Sequence, residues 1–463
     1  MRIRKIIYIT GISLVVVLLA VIIYVGNSTF PIISGYAAKI MCSEVFIGGR
    51  QPDRVTAQDL SAFPLSLARC SVDYKDSSVT ASVFGFSGRK ALYRKGVGAT
   101  LISELAEDVI RRQSFAIPPP DTINMSTVAW PMGDKVADTI PANVDNQQLN
   151  EAIDFLFTEQ DSSRRKLTRA VVVVYRGQII AERYAPGFSQ HSMLLGWSMA
   201  KSVTGALAGL LAQNGQLDVD APVPVSDWQQ PTDKRHAITT KDLLQQCSGL
   251  RFDEDYSKRS DVTSMLYLKS CMGCFAADHS LDTVPGTRFR YTSGNTNIVS
   301  QIIRNVVGEQ DYHAFPYKAL FYKLGMYHSL WEPDASGTYV GSSYIYASAR
   351  DWARFALLYL NKGRFNNEQI LSENWVKQTI SPGPAANFDR YGYTFWLNTG
   401  KQKGDGHRTF QDAPDDMFYA DGFQGQNIFI IPSKDLAVIR LGMTLRGGYR
   451  ANRTLQLILA AIH

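Results

Sequence analysis

The sequence predicts an α/β fold of the α+β kind, in which helices cover an antiparallel sheet and an all-helical region lies beside it. Three observations lead there. Val171-Val172-Val173-Val174-Tyr175 is a short, wholly apolar run, and Arg176-Gly177-Gln178 then turns the chain into a second strand-like run, Ile179 to Tyr184. Two more such runs, Asn427 to Ile431 and Leu436 to Leu441, come only near the C-terminus. Between these pairs the chain is mostly helical in pattern to about residue 380. A sheet assembled from both ends of 146–463, with the helical block between, satisfies all three.

The N-terminus carries a separate signal. Met1-Arg2-Ile3-Arg4-Lys5 is basic, and residues 6–26 contain no charge. About 20 apolar residues suffice to cross a hydrocarbon core. Cations preceding such a run favour the cytoplasmic side, so the sequence predicts a cytoplasmic start at 1–5 and a transmembrane anchor at 6–26. The rest would lie outside the inner or plasma membrane, in the periplasm if the cell is Gram-negative. A cleaved signal peptide is the rival, but Asn27-Ser28-Thr29-Phe30 offers no small-x-small cleavage site.

Residues 27–145 form an extracytoplasmic region ahead of the main domain at 146–463. The region shows strand-like runs from Val79 to Phe86 and from Lys90 to Leu101, then a helix-like run from Leu101 to Arg112. Ile117-Pro118-Pro119-Pro120 cannot continue a helix and reads as a stiff connector.

Composition narrows the function classes. Of 463 residues 45% are hydrophobic and 19% charged, which marks a folded chain with a large core. A net charge of +6 without a long basic run gives no footprint for nucleic acid. None of the seven histidines falls in a metal-binding pattern. Cys271-Met272-Gly273-Cys274 has metal-like spacing but no second Cys/His pair nearby, so no metal is expected. Cys42 and Cys70 flank a short segment and can be joined on the exported side; helix-packed free thiols are expected at Cys247, Cys271 and Cys274.

The candidate chemistry lies in Gly196-Trp197-Ser198-Met199-Ala200-Lys201-Ser202. Residues three apart share a helix face, so Lys201 can lean over Ser198 and help remove its proton, which a serine nucleophile requires. Two other Ser-x-x-Lys matches, Ser87–Lys90 and Ser163–Lys166, lack this setting. Only Ser198 follows a strand and loop and opens a helical stripe (Val203, Ala206, Leu207, Leu210, Leu211) that stops at Asn214-Gly215.

Further segments follow in a fixed order. They are Thr239-Thr240-Lys241-Asp242-Leu243-Leu244 with Ser248-Gly249-Leu250, then Pro285-Gly286-Thr287 leading to Tyr291-Thr292-Ser293, then Ala349-Arg350-Asp351-Trp352-Ala353-Arg354, then Asp421-Gly422-Phe423-Gln424-Gly425-Gln426. Together with the Ser198 segment this set resembles the serine β-lactamase and penicillin-binding-protein superfamily. Within it, the class C-like esterase branch that includes the 6-aminohexanoate-dimer hydrolases is most similar. The resemblance covers about 146–463.

What it implies is a β-lactamase/transpeptidase-like fold and a serine hydrolase that needs no cofactor. Ser198 would be the nucleophile, Lys201 its activating amine and Tyr291 the second-motif phenol that relays the proton. The backbone N–H groups of Ser198 and Gln426 would form the oxyanion hole, and Ser293, Phe423, Gln424 and Gly425 would face the substrate. Two departures matter. Ser293 stands where the second motif often has Asn, with Asn295 two positions on. Phe423-Gln424-Gly425 lacks the third motif's Lys or His, which disfavours β-lactams and favours linear amides or esters. Arg350 and Arg354 are candidate replacements for that charge. The rival readings are a non-catalytic penicillin-binding-like sensor and a D,D-peptidase or β-lactamase. Sequence leaves the oligomeric state open.

Overall fold

The computed structural model describes residues 2–120, 124–230, 232–385, 387–399, 408–445 and 447–463; within the first helix it leaves out the side chains of residues 1–7, 15 and 17–25. The chain forms two compact units. One comprises Met1–Arg112, Asp253–Ser270 and Asp334–Ser336; the other comprises Gln113–Phe252, Cys271–Pro333 and Gly337–His463. The stretch expected as one region at 27–145 is therefore shared between them.

The first unit is a single long helix laid on a small sheet. Helix α1 (Arg2–Phe46) does not stop at residue 26. Beyond it, Ile33, Ala37, Ala38, Ile40 and Met41 are buried against the antiparallel meander of β1 (Ala68–Asp73), β2 (Ser78–Val83), β3 (Phe86–Arg94) and β4 (Gly98–Leu101). The run expected to be helical from Leu101 is a strand end there, and only α2 (Glu107–Arg112) is helical. Most side chains of the expected anchor lie outside the described residues; among those described, no helix is long and apolar enough to cross a membrane.

The second unit has the sheet expected from both chain ends. After α3 (Asn146–Phe157) come β5 (Thr168–Tyr175) and β6 (Gln178–Tyr184), and the central helix α4 (Ala200–Gln213) follows. Helices α5 (Ser293–Val307) and α6 (Ala349–Leu360) precede β7 (Trp396–Leu397), β8 (Phe418–Gly422), β9 (Gln426–Ile431), β10 (Leu436–Gly442) and α7 (Ala451–Ala460). The sheet order is β7-β8-β9-β10-β5-β6, all antiparallel, so β10 pairs with β5 across most of the sequence. Alternate residues Val171, Val173, Phe429 and Val438 pack under α3 and α7, and α6 covers the opposite face. A strand covered on both sides needs no polar alternation, which is why Val171–Val174 is uniformly apolar.

The cysteines differ from expectation. Cys271 and Cys274 are disulfide-bonded, while Cys42, Cys70 and Cys247 are free. Cys42 and Cys70 turn to different carbonyls, those of Ala91 and Ala37, and do not pair. Among the described residues no group of His, Cys, Asp or Glu is arranged to hold a metal.

Candidate active site

Helix α4 is buried along its length from Ala200 to Leu211. Its glycines explain how: a Cβ on Gly205 would lie 2.2 Å from Thr394 Oγ1, and one on Gly209 would lie 2.4 Å from the Trp375 indole nitrogen. Neighbouring segments therefore approach the helix backbone closely and clamp it. Ser202 Oγ donates to Thr394 O (2.8 Å) and Thr204 Oγ1 to Gly341 O (2.9 Å), fixing its rotation.

Ser198 sits in the tight turn Trp197–Met199 that leads into this helix. The preceding Trp197 has φ of +48°, a left-handed conformation costly for a bulky residue and typical of strained functional turns. Packing enforces it: the Gly196 N–H donates to Ile345 O at 2.9 Å, and the Trp197 ring is buried against Tyr344. Ser198 itself stays half-buried and so within reach of solvent.

Lys201 Nζ is the hub. It lies 3.0 Å from Ser198 Oγ, 3.1 Å from Ser293 Oγ and 3.2 Å from Ser342 O. The Lys201 side chain is buried, and its Nζ stands 4.8 Å from the centre of the Tyr291 ring, within cation–π range. These contacts have a direct protonation logic. An ammonium donates to all three oxygens; a neutral amine donates two hydrogens and keeps one lone pair. Ser342 O can only accept and Ser293 Oγ accepts readily, so the lone pair is left for the Ser198 hydroxyl proton.

Each partner is braced in turn. Ser293 opens α5, capped by Thr292, whose Oγ1 accepts from Asn295 N. The Tyr291 ring stacks on Trp396 with centroids 5.1 Å apart. Asn295 does not take the second-motif role, because its side chain is tied to Ser248 (2.7 Å) and Gln246 (3.0 Å). Gln246 Oε1 also accepts from Thr292 N at 2.9 Å, which holds the Tyr291–Ser293 segment in place. Asn297 contacts Ser342 through both side-chain atoms, to Ser342 Oγ and from Ser342 N, at 3.2 Å each.

The third segment closes the other side. Gly422 packs directly on the loop before Ser198, since a Cβ there would lie 2.2 Å from Gly196 O. Phe423 is exposed, with its ring edge-on to Trp197 at 5.7 Å. Gln424 and Gly425 have φ of +64° and +80° and form the β8–β9 turn. The Gln426 side chain is turned inward, accepting from Gly442 N at 2.9 Å, so only its backbone belongs at the site.

Arg350 and Arg354 supply no charge here. They are buried in α6, Arg350 on Glu182 and the Asp134 carbonyl, Arg354 on Asp351 (2.8 Å) and Asp134 (3.0 Å). The cation that matters to the turn is Arg440, which sequence reasoning missed. Its guanidinium donates to Gly425 O (2.8 Å) and Gln424 O (3.2 Å) from beneath. Burial lowers its pKa to about 10. A lone arginine in the otherwise apolar run of β10 was the available signal. Ser342, Asn297 and Gln246 had none, because their partners are distant in sequence.

Comparison with known proteins identifies the family and the fold. Residues 153–461 match the Beta-lactamase family model. The chain is 23% identical over 295 residues, 59% of its length and 72% of the relative's, to a 6-aminohexanoate-dimer hydrolase of Paenarthrobacter ureafaciens. In fold it is similar to a putative 6-aminohexanoate-dimer hydrolase from Bacillus anthracis (TM-score 0.57, 20% identity, 75% of this chain and 90% of that one). It is also similar to a class C β-lactamase variant (TM-score 0.50, 15% identity, 70% of this chain and 100% of that one). With its family model spanning the whole two-ended sheet and the Ser198 turn, the chain belongs to the beta-lactamase family.

Proposed function

We propose that the protein is a serine hydrolase that cleaves an amide or ester through an acyl-enzyme on Ser198. One observation carries the reading: the buried Lys201 amine bonded at once to Ser198 Oγ, Ser293 Oγ and the Ser342 carbonyl. Ser198 Oγ attacks the substrate carbonyl carbon as its proton passes to Lys201. The C=O electron pair moves onto oxygen, toward the backbone N–H groups of Ser198 and Gln426. Collapse expels the amine or alcohol, which takes a proton delivered through Tyr291. Water then attacks the ester carbon, its proton leaves by the same groups, and Ser198 is released.

The substrate we propose is a linear amide or ester whose end near the third segment is uncharged. Phe423 rather than a cation stands there, and the only described guanidinium bonded to that turn, Arg440, donates to backbone carbonyls. The relative named as a 6-aminohexanoate-dimer hydrolase supports the linear-amide part of this reading. We further propose that residues 6–26 hold the enzyme in the plasma or inner membrane, with its catalytic unit outside the cytoplasm; the basic start and the uncharged run support this.

A fluorophosphonate probe tests the central step. It should label the wild type and leave Ser198→Ala unlabelled, and the wild type should turn over short-chain p-nitrophenyl esters repeatedly. A single stoichiometric burst without turnover would instead favour a penicillin-binding-like sensor.

A further inference from the structure

We infer that the β2–β3 hairpin of the N-terminal unit is a membrane-contact site, its aromatic tip lying in the headgroup layer of a bilayer that carries anionic lipid. The inference rests on the proposed anchor at 6–26 and adds a second contact to it.

The tip is costly as a turn. Val83 pairs with Phe86, so Phe84-Gly85 is the two-residue loop, with φ of +51° and +81°. Two consecutive left-handed residues suit Asn-Gly or Gly-Gly; an aromatic at the first position is strained. The ring does not recover that cost by burial, since Phe84 is 66% and Phe86 70% exposed. A residue that is wrong for its turn and unburied by its fold is explained by something outside the fold.

What covers it is indicated by its neighbour. The Phe84 ring meets Phe30 of α1 at 6.0 Å. Phe30 lies four residues beyond Gly26, where the uncharged run ends. As a helix, residues 6–26 span about 31 Å, close to the roughly 30 Å of a hydrocarbon core. Four further residues place Phe30, and with it Phe84, about 6 Å past that core, within the headgroup layer where aromatic rings concentrate. Tyr8, Ile9, Ile12, Leu14 and Val16, within the uncharged run of the same helix, are exposed.

Charge agrees with an anionic surface. Arg69 lies opposite Ser82 and Arg89 opposite Ala81, both within two residue pairs of the loop. Residues 61–69, 79–91 and 26–36 contain no Asp or Glu. The exposed Phe63 precedes β1 at the same end of the sheet.

The experiment uses the full chain in vesicles of phosphatidylcholine and phosphatidylglycerol, with an environment-sensitive NBD dye on Phe84→Cys. The control carries the dye on Lys75→Cys, in the turn at the other end of β2. At position 84 the emission should shift to the blue and be quenched by headgroup-level spin-labelled lipid at least about twofold more than at 75. Phe84→Asn should keep or raise the melting temperature, as Asn tolerates the left-handed turn, while reducing the blue shift of dye on Phe63→Cys. Extraction with alkaline carbonate separates the two ideas. A chain that resists extraction yet shows aqueous emission at 84 overturns the hairpin contact alone. Release by carbonate overturns the anchor and the inference with it.

Discussion

Lys201→Met separates catalysis from folding. The substitution keeps an unbranched apolar stem in the buried site and removes only Nζ and its contacts to Ser198 Oγ (3.0 Å), Ser293 Oγ (3.1 Å) and Ser342 O (3.2 Å). Two of those partners are hydroxyls, which rotate to other acceptors. The Ser342 carbonyl loses a donor, at a cost of about 1–3 kcal/mol. Against this, an amine no longer has to be held away from water, which offsets several kcal/mol if it is charged. Folding stability should therefore change little. Activity should not be spared. A positioned base contributes roughly 10²–10⁴-fold, and a loss of about 10³ corresponds to about 4 kcal/mol on the barrier. The assay is kcat/KM for p-nitrophenyl butyrate beside a thermal melt by circular dichroism. A folded Lys201→Met enzyme within tenfold of wild type would refute the proton-transfer role.

Ser293→Ala removes one anchor of Lys201 and leaves the other two; losing one hydrogen bond to a charged group should lower kcat by roughly 10- to 100-fold, and an unchanged kcat would place Ser293 outside the site. Gly209→Ala drives a methyl into the Trp375 indole, 2.4 Å from its nitrogen; overpacking of about 1–3 kcal/mol should lower the melting temperature by several degrees, whereas an unchanged melt would mean the clamp on α4 is slack. The Cys247 thiol is pushed up to about 12 and that of Cys70 to about 11, each by burial. In both, the fold favours the protonated form, so near pH 8.5 neither ionises, and stability is lost as pH climbs from the unfolded thiol value of 9.0 through those values. A thiol reagent at pH 8.5 should thus find no fast-reacting cysteine in the native protein and two after mild reduction of Cys271–Cys274; two fast thiols before reduction would contradict that bond.

Local chemistry decided what was legible beforehand. The run Val171–Val174 and its mates at 427–431 and 436–441 announced one antiparallel sheet built from both chain ends, and the register bears this out, β10 lying between β9 and β5. The Ser198–Lys201 pair was legible because three-residue spacing is a property of one helix. Ser293 was named because an ordered motif led to it. Gln246, Asn297, Ser342 and Arg440 act across 15 to 141 positions of chain, a relation that no window of sequence encodes. The helix expected over 101–112 was misread only at its start, for a similar reason: Leu101 pairs with Ala91 across a hairpin, and that pairing overrides helix propensity, while Glu107–Arg112 is helical. The Cys271–Cys274 bond was missed because a three-residue spacing fits a packed thiol pair as well as a disulfide.

The β8–β9 turn shows how one substitution changes what a family site can ask of its substrate. A cation at the tip would aim its charge into the cleft. Here the charge lies beneath the turn, where the Arg440 guanidinium is used by the carbonyls of Gln424 and Gly425. Those carbonyls belong to residues with left-handed backbones, so the arginine stabilises the strained turn that carries the Gln426 N–H. Positive charge is spent on holding the proposed oxyanion donor in place rather than on attracting a carboxylate. The surface left facing outward is the Phe423 ring, edge-on to Trp197. Under the proposed function, a turn built this way would favour acyl groups that bring area rather than charge.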